Sequence, residues 1–106
     1  MQLTVSAKGC QAPPKLQERL ERHLQFSLGR FGGHIGHVEL RLDRSQAVPD
    51  HRCRITIMVR SLGKIESDAI DSDCERAALR AADRAARRIQ YELPIRTEGV
   101  IPGVVG

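Results

Sequence analysis

Apolar and polar residues alternate in four stretches of the chain, which is the pattern of β-strands with one buried face. The alternation predicts strands over residues 2–8, 36–43, 52–60 and 64–70. In the first strand, three positions are expected to face inward: Leu3, Val5 and Ala7. The third strand is the clearest, because its inward positions are all apolar: Cys53, Ile55, Ile57 and Val59. The turn residues at 61–63 predict that the third and fourth strands form a hairpin.

Two further stretches have the period of an amphipathic helix. The first is predicted from Lys15 to about Phe31, with an inward face of Leu16, Leu20, Leu24, Ser27 and Phe31. The second is predicted over residues 72–92, from a capping box of Ser72 and Glu75 to the residues before Pro94. Its inward face is made mostly of alanine, which lets a helix lie close to a sheet: Cys74, Ala78, Ala81, Ala82, Ala85, Ala86 and Ile89.

The order of these elements, β-α-β-β-β-α, predicts a single α+β domain with a four-stranded mixed sheet and both helices packed on one face. A length of 106 residues fits one such domain. We expect the domain to span residues 1–93 and to contain a polar loop at 44–51. Residues 94–106 have prolines and glycines without any period, so they predict a loose C-terminal tail.

Composition excludes several classes of protein. No run approaches the roughly 18–20 apolar residues that span a bilayer, and the N-terminus has no signal-peptide pattern, so we expect a cytoplasmic protein without a membrane partner. With no Trp, one Tyr and two Phe, the core must be aliphatic. Three widely spaced cysteines predict free thiols: Cys53 and Cys74 are expected in the core, and Cys10 is expected to be the most exposed.

The metal-capable side chains closest together in the sequence are His34, His37, His51 and Cys53. His37 is predicted to point outward and Cys53 inward, so these side chains should not converge on a zinc ion. The chain also has no phosphate-cradling glycine loop and no nucleophile–base arrangement. We therefore expect no metal site, no cofactor, no small-molecule substrate and no enzymatic activity.

Basic residues are concentrated on the outward sides of the two predicted helices, although the net charge is only +4. Five lie on the second helix: Arg76, Arg80, Arg84, Arg87 and Arg88. Four form a weaker stripe on the first: Lys15, Arg19, Arg22 and Arg30. Glu75 can pair with a neighbouring arginine, but most of this charge is expected to have no partner. Because the guanidinium fork suits phosphate, the two faces predict binding to a folded RNA backbone, with a merely solubilising surface as the alternative.

Phe26 lies in the middle of the first basic stripe and is predicted to point away from the leucine core. One interpretation is that it stacks on a base or on an arginine plane. The other is that it packs against the neighbouring helix or a loop, since single exposed hydrophobic residues are common.

Five segments in this order, MQLTVSAKG, LGRF, HVELRL, RCRITIMV and DSDCERAALRAADRAARRI, resemble the ribosome hibernation promoting factors. These are also called sigma-54 modulation proteins or ribosomal subunit interface proteins. The resemblance covers about residues 1–92 and is most specific in the last helix. It implies a fold like that of double-stranded-RNA-binding domains. The chain resembles a short, divergent member without the further C-terminal domain by which long members pair ribosomes.

The resemblance also implies a function. Members of the family dock on the small ribosomal subunit and its RNA, in the channel used by messenger and transfer RNA, which blocks translation and stores idle ribosomes. By position, the contacts would be the nine basic residues of the two helices named above. His23 and Phe26 stand where typical members have lysines, which shifts the expected contact toward the last helix. The resemblance does not imply an oligomeric state.

A protein-interaction module is the alternative function. In that interpretation the open face of the sheet or the apolar residues of the tail bind a partner, and the arginines only keep the protein soluble. Such binding should be nearly insensitive to salt, whereas binding to RNA should weaken as salt rises.

Overall fold

The computed structural model describes residues 1–44 and 50–93 of the chain. Its elements follow the predicted order, with a short 3-10 segment added after the first helix. They are β1 (Gln2–Lys8), α1 (Leu16–Leu28), the 3-10 segment (Gly29–His34), β2 (Ile35–Arg44), β3 (His51–Val59), β4 (Gly63–Asp71) and α2 (Cys74–Glu92). The predicted tail, residues 94–106, and residues 45–49 of the predicted polar loop lie outside the described residues.

The four strands form one mixed sheet in the order β1-β2-β3-β4. β1 is parallel to β2, because α1 carries the chain back across the sheet between them, and the other two pairs are antiparallel. The predicted hairpin between β3 and β4 is confirmed. Its turn contains two residues with positive φ, Ser61 at 77° and Gly63 at 86°. Glycine reaches this conformation without steric cost, whereas serine does not.

Both helices pack on the same face of the sheet, as predicted, and enclose an aliphatic core. α2 lies over β3 and β4, and α1 lies beside it and contacts β1. All seven residues predicted on the inner face of α2 are buried, together with Ala77. On the opposite face of the sheet, no helix of the described residues packs, and polar and charged side chains line the surface, among them Glu39, Arg41, Arg54 and Glu66.

Three predicted details are wrong. α2 is capped by Asp73 and not by Ser72: the Asp73 carboxylate accepts a hydrogen bond of 3.0 Å from the backbone N–H of Arg76. The α-helical part of α1 ends at Leu28 and not near Phe31, and Leu28 takes the buried position expected for Ser27. Phe31 is buried, as predicted, although it lies in the 3-10 segment. Glycine destabilises an α-helix, so the glycines from Gly29 onward favour the end of the α-helix at Leu28 and a short 3-10 segment after it.

The inward alternation predicted for β1 holds only in part. Leu3 is buried, but Val5 is half-buried and Ala7 is exposed. β1 is an edge strand, and α1 covers its beginning, where Gln17 donates a 3.3 Å hydrogen bond to the backbone oxygen of Leu3. Alternation therefore predicts the strand correctly but overestimates how far the core extends along it. No helix within the described residues is long and apolar enough to cross a membrane.

Candidate nucleic-acid interface

The two helices are joined side by side by contacts between their side chains. Near the start of both, Arg19 lies across from Glu75, and near the end, the Gln90 side chain donates a 2.8 Å hydrogen bond to the Ser27 backbone oxygen. Early residues of α1 contact early residues of α2, and late residues contact late ones, so the two helices run parallel. Their outward sides form one continuous surface, which we call the helical docking surface; we include in it Lys15, just before α1, and Arg30, just after it, so that it comprises the nine basic residues predicted from the sequence.

Two acidic side chains lie in the seam between the helices, and each has a basic partner. One guanidinium nitrogen of Arg19 donates to both carboxylate oxygens of Glu75, at 2.9 and 2.7 Å. Nε2 of His23 lies 2.6 Å from a carboxylate oxygen of Asp83, so this pair is an ion pair when the imidazole is protonated. The seam therefore uses Arg19 for helix packing, and the remaining basic residues lie to either side of it.

The arginines of α2 lean away from α1, toward the edge of the sheet formed by β4. Arg76 and Arg80 approach the carboxylate of Asp71 at 3.6 and 3.3 Å, and Arg84 donates a 2.8 Å hydrogen bond to the backbone oxygen of Asp68. The prediction that most of these arginines have no partner is wrong. The partners of Arg76, Arg80 and Arg84 come from β4, which a helical wheel of α2 does not include.

The two arginines in the last turns of α2 differ in whether they have an ionic partner. Arg88 pairs with Glu92 four residues later, at 3.0 Å. Arg87 forms no ion pair or side-chain hydrogen bond within residues 1–44 and 50–93. Both are exposed, and exposed ion pairs contribute only about 0.2–1 kcal/mol, so a phosphate can compete for the paired arginines as well.

The basic residues of α1 also differ in their surroundings. Lys15 and Arg22 are exposed and have no ionic partner in the described part of the chain, although Arg22 borders a shallow depression with Glu18 and Glu21. Arg30 is exposed in the 3-10 segment. The cations most open to an incoming phosphate are therefore Lys15, Arg22 and Arg87.

Asp71 joins the end of β4 to the start of α2. One carboxylate oxygen accepts a 3.0 Å hydrogen bond from the backbone N–H of Asp73, and the carboxylate faces Arg76 and Arg80. These interactions favour the ionised form, so the pKa of Asp71 lies below its usual value, mainly through the backbone hydrogen bond. Asp71 thus holds the N-cap residue of α2 and orients two arginines of the helical docking surface.

Two of the three aromatic residues lie on this surface. Phe26 is 90% exposed and Tyr91 is 86% exposed, whereas Phe31 is buried. Of the two interpretations of Phe26, packing against the neighbouring helix or a loop is wrong for the described residues. Tyr91 had no role in the predictions made from the sequence.

The thiols and histidines of the described residues lie apart from the helical docking surface's exposed arginines or are buried, with the exception of His23 in the seam. Among the described residues, no group of three His, Cys, Asp or Glu side chains is placed to hold a metal ion. Cys53 is buried in the core, as predicted, and burial raises its pKa to about 12. Cys74 is also buried, which raises its pKa, and Cys10 is the most exposed of the three.

Comparison with known proteins agrees with the resemblance seen in the sequence. A family model described as sigma 54 modulation protein / S30EA ribosomal protein matches residues 3–92. The chain belongs to this family. The match extends over both helices and the four strands, so the entire helical docking surface lies within the family's domain.

Solved structures show the same fold. The N-terminal domain of Protein Y from Thermus thermophilus is similar, with a TM-score of 0.72 at 16% identity, over 87% of this chain and 99% of that one. A ribosomal subunit interface protein from Coxiella burnetii gives a TM-score of 0.69 at 13% identity, over 87% and 97%. At these identities the likeness shows the fold, and the predicted fold class is confirmed. A search of curated protein sequences finds no match.

Proposed function

We propose that this protein is a ribosome-associated inhibitor of translation that acts by occupying a site. In this proposal the helical docking surface binds RNA of the small ribosomal subunit and blocks the sites of messenger and transfer RNA, in the cytoplasm. Family membership supports association with ribosomes. The observation that carries the proposal is that the exposed arginines of α2 lie on the same surface as Lys15 and Arg22 of α1.

The proposed mode of binding needs no chemical step. Arginine donates paired hydrogen bonds to phosphate oxygens, and a row of arginines about a helical turn apart can follow an RNA backbone by its shape. Each neutralised phosphate releases counterions, which makes affinity fall steeply with salt. Competition with messenger and transfer RNA then follows from occupancy alone.

Co-sedimentation with small ribosomal subunits across a salt series tests the proposal. We expect the protein in the ribosomal pellet at low salt and its release as salt rises. The double variant Arg22→Glu/Arg87→Glu should lose most of the binding, because it reverses two exposed charges without breaking an ion pair of the described residues. Its matched control is Arg41→Glu/Lys64→Glu, which makes the same change of charge on the open face of the sheet.

Two results would contradict the proposal. One is absence from ribosomal fractions at low salt, where electrostatic attraction is least screened. The other is equal loss of binding in both double variants, which would mean that net charge matters and the surface does not. Salt-insensitive binding that disappears on deletion of residues 94–106 would instead favour the protein-interaction module.

A further inference from the structure

The fold makes no use of two of its three aromatic side chains. Aromatic side chains bury more area than most others and stabilise cores strongly, yet Phe26 and Tyr91 are almost fully exposed. Scattered exposed hydrophobic residues are ordinary on protein surfaces. These two are not scattered, and we refer to them below as the aromatic pair.

The aromatic pair lies at one level of the helical docking surface. Gln90, which precedes Tyr91, donates its 2.8 Å hydrogen bond to Ser27, which follows Phe26. Because the helices run parallel, this contact sets both aromatic residues near the C-terminal ends of α1 and α2. The two rings therefore project from adjacent, parallel helices at the same end of the helical docking surface.

Each member of the aromatic pair has an arginine one helical turn before it. Arg22 precedes Phe26 by four residues, and Arg87 precedes Tyr91 by four residues, a spacing that places both side chains on the same side of a helix. Neither arginine has an ionic or hydrogen-bonding partner among the described side chains. The same combination of an exposed ring and an uncommitted guanidinium therefore occurs on both helices.

We propose that Phe26 and Tyr91 are stacking platforms for unpaired nucleobases, with Arg22 and Arg87 binding the adjoining phosphates. This rests on the proposed function and makes it more specific, because it defines the RNA that this end of the surface accepts. Bases within a duplex are stacked on each other and offer no free face, whereas unpaired bases stack on aromatic side chains. The segment bound here is therefore single-stranded.

The chemistry of the surroundings favours RNA over a protein partner. Energetically important aromatic residues of protein interfaces lie in well-packed pockets from which water is excluded. The aromatic pair instead projects from two adjacent helices among unpaired guanidinium groups, which repel one another unless an anion lies between them. A nucleotide supplies both the flat face and the anion.

Tyr91 provides a direct measurement, because the chain has one tyrosine and no tryptophan. Its emission can be followed during titration with a short oligouridylate and with an abasic oligomer that has the same number of phosphates. Stacking predicts quenching by the oligouridylate only, and an affinity for it about five- to 150-fold above that of the abasic oligomer. A duplex of equal charge should also leave the emission unchanged.

Substitutions separate stacking from charge. Phe26→Leu and Tyr91→Leu should each lower the affinity for oligouridylate about five- to 150-fold and leave its salt dependence unchanged, whereas Tyr91→Phe should retain binding. Arg87→Gln should instead reduce the salt dependence, by about 0.7 in the slope of log affinity against log salt. Fluorescence anisotropy of a labelled oligouridylate measures the affinity of all four variants. Because the substituted residues are exposed, the substitutions should not disturb the core.

Several outcomes overturn the proposal. Equal affinity for the two oligomers with unchanged Tyr91 emission would show that only the backbone is bound; if ribosomes are still bound, the proposed function survives and this inference alone fails. If the protein binds neither ribosomes nor either oligomer, both the proposed function and the stacking proposal are overturned. A change in emission with protein concentration alone would place a second copy on the aromatic pair. A change on deleting residues 94–106 would place the C-terminal segment there.

Discussion

Arg19 and Glu75 form a two-point contact across the seam of the helices, in which one guanidinium nitrogen lies 2.9 and 2.7 Å from the two carboxylate oxygens. Glu75 lies in the first turn of α2, where a negative charge also interacts favourably with the helix dipole. Arg19 therefore belongs to the packing of the domain, although it lies in the same basic stripe as Arg22. Arg19 and Arg22 should therefore contribute differently to RNA binding.

Arg22→Gln should weaken binding to ribosomal RNA more than Arg19→Gln does. Arg22 can give its charge to a phosphate, so its loss should reduce the salt dependence by about 0.7–0.9 in the slope of log affinity against log salt. Arg19→Gln should leave that slope nearly unchanged and lower the free energy of unfolding by about 0.2–1 kcal/mol. Binding titrations in several salt concentrations and urea unfolding measure both effects. Equal slopes for the two variants would refute this difference.

Asp71→Asn should increase affinity for RNA and lower the stability of the domain. The amide oxygen can still accept from the backbone N–H of Asp73, but the negative charge beside Arg76 and Arg80 is gone. Asp68→Asn is the control: its carboxylate pairs with Arg52 and Arg54 on the sheet, so RNA affinity should change less. Titration with ribosomal RNA at low salt compares them. A larger gain in the control would mean that Asp71 does not restrain the docking arginines.

Acid unfolding should depend on Asp71 in a defined direction. Its pKa in the folded protein lies below the ordinary value of 3.8, because the ionised form is hydrogen-bonded and faces two arginines. The resulting stabilisation is complete above the ordinary value and is lost as pH falls through the lower, folded value. Urea unfolding at a series of acidic pH values should show a smaller loss of stability in Asp71→Asn than in the parent. The reverse order would contradict this sign.

Ala85→Leu should destabilise the domain by about 1–3 kcal/mol, because Ala85 is fully buried where α2 lies against the sheet. Arg88→Leu places the same leucine side chain on the exposed side of this helix, removes only an exposed ion pair with Glu92, and should cost much less. Thermal and urea unfolding of the two variants provide the comparison. If both are equally stable, α2 does not pack closely through its alanines.

Cys10 should be the only thiol that reacts rapidly with Ellman's reagent in the folded protein. Cys53 is buried with a pKa near 12, and burial raises the pKa of Cys74, so neither supplies much thiolate at mildly alkaline pH. All three thiols should react in denaturant, and Cys10→Ser should remove the rapid phase. A second rapid thiol in the folded protein would show that the helix over the sheet opens easily.

The fold was largely predictable because the local pattern and the tertiary structure agree. Alternation along Cys53–Val59 and the alanine face of α2 each place their residues in the core, and neither depends on distant parts of the chain. Predictions failed where a competing local interaction won. Asp73 caps α2 because its carboxylate binds the N–H of Arg76, which displaces the expected cap at Ser72.

The candidate site was predictable only in outline. A helical wheel identifies which arginines of α2 face outward, but it contains no information on what lies beside the helix. Asp68 and Asp71 come from β4, the strand with the weakest pattern, and they orient Arg76, Arg80 and Arg84. Tyr91 and Phe26 lie at the same height along the two helix axes because the helices pack in parallel. The sequence pattern of one helix alone does not specify this packing.

The arginines that lean over β4 also cover part of an exposed edge of the sheet. β4 is an edge strand, and such an edge offers unpaired backbone groups to a strand from another molecule. Arg80 and Arg84 donate to the backbone oxygens of Ile70 and Asp68, at 3.3 and 2.8 Å, on alternate residues of that edge. Their charged side chains therefore occupy backbone acceptors at which a strand from another molecule would have to pair, which is one way in which natural sheets protect an edge.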